Sequence, residues 1–256
     1  MSLRINSEPL DGEVAYINHC ASDRSSYGKY IVIIHPKVDP PIYTLYAHLS
    51  SIDKFLKVGK TVKGGDVIGV MGRTDLGNDI PKERTHLHFE MGVMLSNQFP
   101  QWYAAQKFDS PNRHGVWNGQ NLTGFDPLDF YEKWRSGKIS SVKEYFNQIP
   151  IAFTLRILNT KIPNFLQRYP SLVTKNVEKN NIMAWDIDFT WFAMPIRWTP
   201  LYTVDKKNKT KTILVTAYNN NVLNEHKYKD CLFIKKDKTQ EFGKVLKKTL
   251  DLLFDY

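Results

Sequence analysis

The stretch Thr85-His86-Leu87-His88-Phe89-Glu90 decides how this chain is read. Side chains alternate along a strand, so a strand over Thr85–Val93 puts both imidazoles on one face. One imidazole can then hold a metal while its neighbour handles a proton beside it. The same alternation sends Phe89 to the opposite face, into a core. It returns Glu90 to the face of the histidines, where a solvated strand carboxylate is favoured over a partner for the pair. A bare H-x-H is a weak signal, because alternating strands often carry polar pairs on their wet face.

Two further segments precede the pair in a telling order. The first is Tyr46-Ala47-His48-Leu49-Ser50. The second is the turn-rich run Val58-Gly59-Lys60-Thr61-Val62-Lys63-Gly64-Gly65-Asp66-Val67-Ile68-Gly69-Val70-Met71-Gly72. Together with the H-x-H they resemble the LytM/lysostaphin-type zinc endopeptidases, which cut peptide bonds in bacterial peptidoglycan. The resemblance implies an antiparallel all-β domain over residues 1–135 and Zn2+ as the metal. It assigns metal binding to His88, and divides the base and charge-stabilising roles between His48 and His86. It also implies a peptidoglycan or other cell-wall peptide as partner, and a periplasmic or extracellular place at the cell envelope.

One family motif is missing. An H-x-x-x-D that supplies two further zinc ligands precedes a D-G-x-V strand start, here Asp11-Gly12-Glu13-Val14. Met1 to Leu10 contain no histidine. His19-Cys20-Ala21-Ser22-Asp23 has the spacing but follows the strand start, and is expected to be a polar loop. His114, among turn residues, is expected at the surface, and His35 in Ile33-Ile34-His35-Pro36 is expected to be structural. With His88 as the one expected ligand, zinc should be held weakly, because a catalytic zinc takes three protein ligands and keeps one position open. Two functions follow from the resemblance. One is a zinc endopeptidase that is truncated and weakly active as it stands. The other is a noncatalytic module that binds wall peptides or regulates a partner hydrolase.

Composition sets outer limits. With 256 residues and 42% hydrophobic side chains, one large or two modest domains are expected. No apolar run approaches the ~18 residues of a membrane span, and the first residues carry no apolar signal-peptide core. The net charge of +9 is compatible with polyanions. Its lysine runs, Lys206-Lys207-Asn208-Lys209-Thr210-Lys211 and Lys235-Lys236-Asp237-Lys238, sit in polar turns, and no nucleic-acid-binding motif accompanies them. Nucleic acid is therefore not expected as a partner. Cys20 and Cys231 are too few for a disulfide framework and are expected not to pair.

Strands are expected at Glu13–Ile17, Lys29–His35, Ile42–Leu49 and Val67–Met71. Met94 to Gln120 is an insertion that either walls a groove or covers sheet surface with its aromatics, and Phe125 to Tyr131 resembles the segment that closes many domains of the family. Residues 136–256 read as an α+β unit of no recognised family. Val142–Gln148 and Leu155–Tyr169 are expected to be partly helical, with a break at Pro163, and Gln240–Phe254 is expected to be a helix. The last carries a core stripe of Phe242, Val245, Leu246, Leu250 and Leu253. A strand pair is expected within Ile182–Tyr202, and another strand at Thr212–Tyr218.

Overall fold

The computed structural model describes every residue except 1–3, 7–9, 21–24, 78, 179–180, 205–211, 236, 238 and 255–256. Asp23, the Lys206–Lys211 run, Lys236 and Lys238 lie outside the described residues. The chain forms two compact units, one of residues 1–94 and 99–138, the other of 95–98 and 139–256.

Unit 1 is built on antiparallel sheet. Its strands are β1 (Arg4–Asn6), β2 (Gly12–Asn18), β3 (Tyr30–His35), β4 (Ile42–Ala47), β5 (Leu49–Ile52), β6 (Thr61–Val62), β7 (Val67–Met71), β8 (His88–Met94) and β9 (Leu122–Phe125). Six of them order as β6-β2-β3-β4-β8-β9, and three form a second sheet, β1-β7-β5. β3 and β4 sit in the middle of the large sheet, and β4 is buried along its whole length. Both faces of these central strands are covered. Ile31, Ile33 and Tyr46 point to one side, packing with Val14, Leu49, Val62 and Ile68. Tyr30, Val32, Tyr43, Leu45 and Ala47 point to the other, under Tyr27, Trp117 and Leu122. The near-continuous apolar run Ile31-Val32-Ile33-Ile34 is what a strand buried on both faces requires.

Between β8 and β9 lie helix α1 (Phe99–Ala105) and two 3-10 turns, Gly115–Trp117 and Gly119–Asn121. Trp117 packs on the sheet, so this aromatic of the insertion covers sheet surface. Helix α2 (Pro127–Arg135) follows β9. Asp126 caps it by accepting from the amides of Leu128 and Asp129, with Pro127 in the first turn, where its missing N–H costs nothing.

Unit 2 is a mixed α/β unit around a second antiparallel sheet, ordered β12-β11-β10-β13. Its elements are α3 (Val142–Gln148), β10 (Phe153–Ile157), α4 (Asn164–Arg168), β11 (Ala184–Phe189), β12 (Pro195–Leu201), β13 (Ile213–Tyr218), α5 (Asn220–Glu225), the hairpin β14 (Leu232–Ile234) and β15 (Gln240–Phe242), and α6 (Lys244–Phe254). Ser141 starts α3 by accepting from the Glu144 amide, a Ser-x-x-Glu start of the capping-box type. Phe153, Leu155, Ile157, Trp185, Ile187, Phe189 and Trp198 are fully buried. Trp198 meets Phe254 of α6 at 5.8 Å between ring centroids, and Leu246, Leu250 and Leu253 of that helix are buried. The alternate residues of the strands form a charged ladder instead. Arg156 donates two hydrogen bonds to Asp186, at 2.8 and 2.7 Å, and Thr154 and Arg197 both donate to Asp188.

Several expectations are corrected. The strand expected over Ile42–Leu49 breaks at His48, because β5 leaves the β4 ladder to pair with β7. The strand expected from Thr85 starts only at His88. Ala47, the last residue of β4, lies opposite His88, so no ladder partner remains for Thr85 to Leu87. Leu155 belongs to a strand, not a helix: Phe153, Leu155 and Ile157 are buried with period two. Gln240–Phe242 pairs with β14, so the last helix starts at Lys244. Neither cysteine is in a disulfide. No helix among the described residues is long and apolar enough to cross a membrane.

Candidate metal centre

The ends of β4 and β8 carry the site. The register Leu45↔Glu90 and Ala47↔His88 puts His88 and Glu90 on the face of the sheet shared with Tyr43 and Ala47. Phe89 points the other way and packs on Tyr46, 5.1 Å between centroids, as alternation demands. His48 sits at the break between β4 and β5 with φ of +58°, a conformation that costs a non-glycine residue roughly 1–2 kcal/mol. Its amide is held by the carbonyl of Tyr27 and the next amide by that of Lys29, so the surrounding chain imposes the turn. Such imposed strain concentrates at functional sites.

The turn brings the His48 ring to 4.9 Å from that of His86 and 5.6 Å from that of His88. One ring nitrogen from each of the three lies within 4.8 Å of the other two, and this is the group able to hold a metal among the described residues. His48 is buried, His88 half-buried and His86 exposed. His86 reaches the cluster from the segment before β8 and not, as expected, from the strand itself.

Each imidazole has one nitrogen already engaged. His48 Nδ1–H donates to the Thr74 carbonyl at 2.8 Å, and His86 Nδ1–H to the Arg84 carbonyl at 2.8 Å. A carbonyl oxygen only accepts, so both rings carry the proton on Nδ1 and leave Nε2 with its lone pair. His88 is held the other way round. Its Nε2–H donates to Glu90 Oε1 at 2.7 Å, which leaves Nδ1 for a ligand. Three imidazoles, each fixed through one ring nitrogen, are a donor set that suits zinc. Burial lowers the pKa of His48, and the neighbouring His86 and His88 lower it further against the pull of the Thr74 carbonyl. The neutral form of His48, with a lone pair on Nε2, is therefore the one present near neutral pH.

Glu90 is not the solvated carboxylate expected. Besides His88, it accepts from Tyr27 Oη at 2.7 Å and Tyr43 Oη at 3.1 Å. Burial works against its charge, but these three donors outweigh it and hold its pKa below the usual carboxylate range. Burial, reinforced by the Glu90 charge, pushes the Tyr27 hydroxyl well above its ordinary value, so it remains a donor. Alternation placed Glu90 beside His88, but nothing local announced Tyr27 and Tyr43, which arrive from a loop and a neighbouring strand. Thr74 was missed for the same reason.

The other histidines stand apart. His35 is fully buried and structural, as expected, with bonds to the Asp11 carbonyl and Thr44 Oγ1. His114 is buried, not at the surface, and is hydrogen-bonded to Tyr16. It comes from the insertion and packs against Tyr16 of β2 and Tyr30 of β3. His19 is exposed and outside the cluster.

Comparisons with known proteins point to one family for the stretch that carries this cluster. Residues 8–100 match the profile of Peptidase family M23. Among solved structures, the chain is similar to the catalytic domain of lysostaphin from Staphylococcus simulans, at 21% identity and a TM-score of 0.32, over 52% of this chain and 72% of that one. It is similar to the catalytic domain of the prophage-encoded M23 protein EnpA from Enterococcus faecalis, at 21% identity and a TM-score of 0.27, over 35% and 58%. It is also similar to a zinc-containing peptidase from Vibrio cholerae, at 33% identity and a TM-score of 0.25, over 32% and 21%. The chain thus spans about three-fifths of the enterococcal domain and one-fifth of the Vibrio protein. The TM-scores are too low for these superpositions to add to the profile match. No curated protein gives a significant match. With the H-x-H, the Tyr-Ala-His-Leu-Ser segment and the glycine-rich run inside the matched stretch, residues 8–100 are a Peptidase M23 domain of the LytM/lysostaphin type.

Proposed function

We propose that unit 1 is a zinc-dependent hydrolytic module of the peptidoglycan endopeptidase class. His88 is its metal ligand, and His48 and His86 handle protons and charge at the scissile peptide. The observation that supports this reading most is the convergence of three imidazoles, each with one nitrogen committed and one left over. A bound zinc supplies a Lewis acid for the peptide carbonyl and lowers the pKa of water toward ~7. The buried His48, neutral and anchored on Thr74, is suited to accept a proton through Nε2. The exposed His86 is suited to meet substrate and to stabilise charge developing on the carbonyl oxygen. Unit 2 has no assigned role in this reading.

A second reading is a noncatalytic relative that keeps the groove and binds wall peptides or a partner hydrolase. It is favoured by the donor set: among the described residues no carboxylate joins the three histidines as a further ligand. Zinc content after dialysis, measured alongside cleavage of a glycine-rich wall peptide, separates the two. The enzymatic reading requires retained zinc and turnover, both lost in His88→Ala. His48→Ala or His86→Ala should then lower turnover by about 10²–10⁴ with a smaller effect on zinc. Peptide binding without turnover in the zinc-loaded protein would refute it in favour of the noncatalytic reading.

A further inference from the structure

His88 is the residue on which the metal reading turns, and its ring could present either nitrogen to the cluster. What selects one is a carboxylate that two strands and a loop converge on. Glu90 stands two residues further along β8, on the same face. Its Oε1 accepts from His88 Nε2 at 2.7 Å and from Tyr27 Oη at 2.7 Å, while Oε2 accepts from Tyr43 Oη at 3.1 Å. Tyr43 comes from β4, across the ladder from Gly92. Tyr27 comes from the loop before β3, and its ring also packs edge-on against His88, 5.2 Å between centroids. The same Tyr27 accepts the His48 amide through its backbone carbonyl at 2.9 Å. One residue therefore fixes His48 through its main chain and, through Glu90, fixes His88.

We propose that Glu90 is the positioning residue of this centre. With Tyr27 and Tyr43 clamping its carboxylate, it holds the His88 proton on Nε2 and turns the Nδ1 lone pair toward His48 and His86. The chemistry is that of a carboxylate oriented to receive one imidazole proton. A carboxylate is acceptor-only, so His88 Nε2 must donate, and a carboxylate left to rotate would not fix the plane of the ring. Two tyrosine hydroxyls remove that rotation. Tyr27 and Tyr43 lie on opposite oxygens, so any rotation of the carboxylate short of the equivalent half-turn pulls an acceptor away from both hydroxyls. The inference rests on the metal reading above only for what the fixed nitrogen is for. The tautomer itself is a property of the metal-free protein.

The test uses the full chain with 15N-labelled histidine. In the metal-free wild type, His88, identified by the signals lost in His88→Gln, should show a single Nε2–H tautomer. Glu90→Ala should spread it over both tautomers. Glu90→Gln should largely restore the wild-type spectrum, because the amide oxygen still accepts. Zinc affinity, read by competition with a chelating dye, should fall about 10–100-fold in Glu90→Ala and recover in Glu90→Gln. If Glu90→Ala does not fold, the Tyr27→Phe/Tyr43→Phe pair keeps both rings in place and should still broaden the His88 tautomers. A role in packing alone would lower thermal stability without moving the tautomer. A folded Glu90→Ala protein with His88 still wholly Nε2–H would overturn the proposal. A wild-type protein that takes up no zinc would overturn the metal reading instead, and the tautomer would still decide the role of Glu90.

Discussion

Gly28→Ala should disable the anchor of His48 from outside the histidine cluster. Gly28 has φ of +59°, and a Cβ built there lies 2.3 Å from the Thr74 carbonyl oxygen and 2.4 Å from its carbon. Both are backbone atoms and cannot swing away as a side chain would. The left-handed conformation costs alanine roughly 1–2 kcal/mol, and forcing the extra carbon into this contact adds about 1–3 kcal/mol. Thr74 is held where it is by three bonds: its hydroxyl donates to the Leu49 carbonyl, the Lys29 amide donates to that hydroxyl, and its carbonyl takes the His48 proton. Yielding to the new methyl loosens some of these. The expected loss is therefore about 2–5 kcal/mol, with His48 freed to change its ring orientation. Urea unfolding followed on amide cross-peaks of unit 1 reads the loss without interference from unit 2. A change below about 0.5 kcal/mol, the ordinary range for an inconsequential surface substitution, with unmoved His48 and Thr74 resonances, would refute the reasoning.

Two further outcomes are expected. His35 is buried, and burial lowers its pKa against the pull of the Asp11 carbonyl. Its neutral ring accepts the Thr44 hydroxyl proton on Nε2. The unfolded chain binds a proton on His35 below its ordinary value near 6.5 while the folded one does not, so stability is full above that pH and is lost as pH falls below it. The slope from this residue is at most about 1.4 kcal/mol per pH unit. Urea midpoints at pH 7.5, 6.5 and 5.5 should fall less steeply in His35→Gln, and identical slopes in the two proteins would remove His35 from the account. In unit 2, Leu246 is fully buried. Leu246→Ala should cost about 2–5 kcal/mol, read from the unfolding of Trp185 and Trp198 fluorescence, and a loss under about 1 kcal/mol would mean that α6 does not anchor that core.

The sequence showed most where a residue's neighbours along the chain determine its surroundings. The strands at Val67–Met71 and in the β2–β3 pair follow from short apolar runs between turns. Helix α3 follows from Ser141 and Glu144, and the strand pair of unit 2 lies within the stretch read from its aromatics. The gathering of His48, His86 and His88 was implied by family resemblance and is met by the geometry. What was not legible came from long-range pairing. The length of β8 is set by where β4 ends, so a local pattern could not show that His86 falls outside the strand. The burial of His114 depends on Tyr16, far back in the chain, and the environment of Glu90 on two tyrosines that no spacing rule connects to it. Leu155 was misread because Leu155, Arg156 and Ile157 fit either period until Phe153 and the facing strand β11 are known.

The break at His48 also bears on when the centre comes into being. Its three imidazoles are held by Tyr27, Thr74 and the Arg84–Glu90 stretch, and His48 meets the other two only once β4 and β8 have zipped. Pairings between such distant segments form slowly, because loop closure must precede the contacts that reward it. A nascent chain ending before residue 90 carries all three histidines, with Tyr27, Thr74 and Arg84 present to hold His48 and His86, but lacks the Glu90 that aims His88. A chain in which β4 and β8 have not paired exposes His86 and His88 as a loose, unselective bite for stray ions. On the proposed metal reading, specific metal uptake would thus report completed sheet formation. Any substitution that delays the central strands, however far from the histidines, should show first as late or mistaken metal uptake.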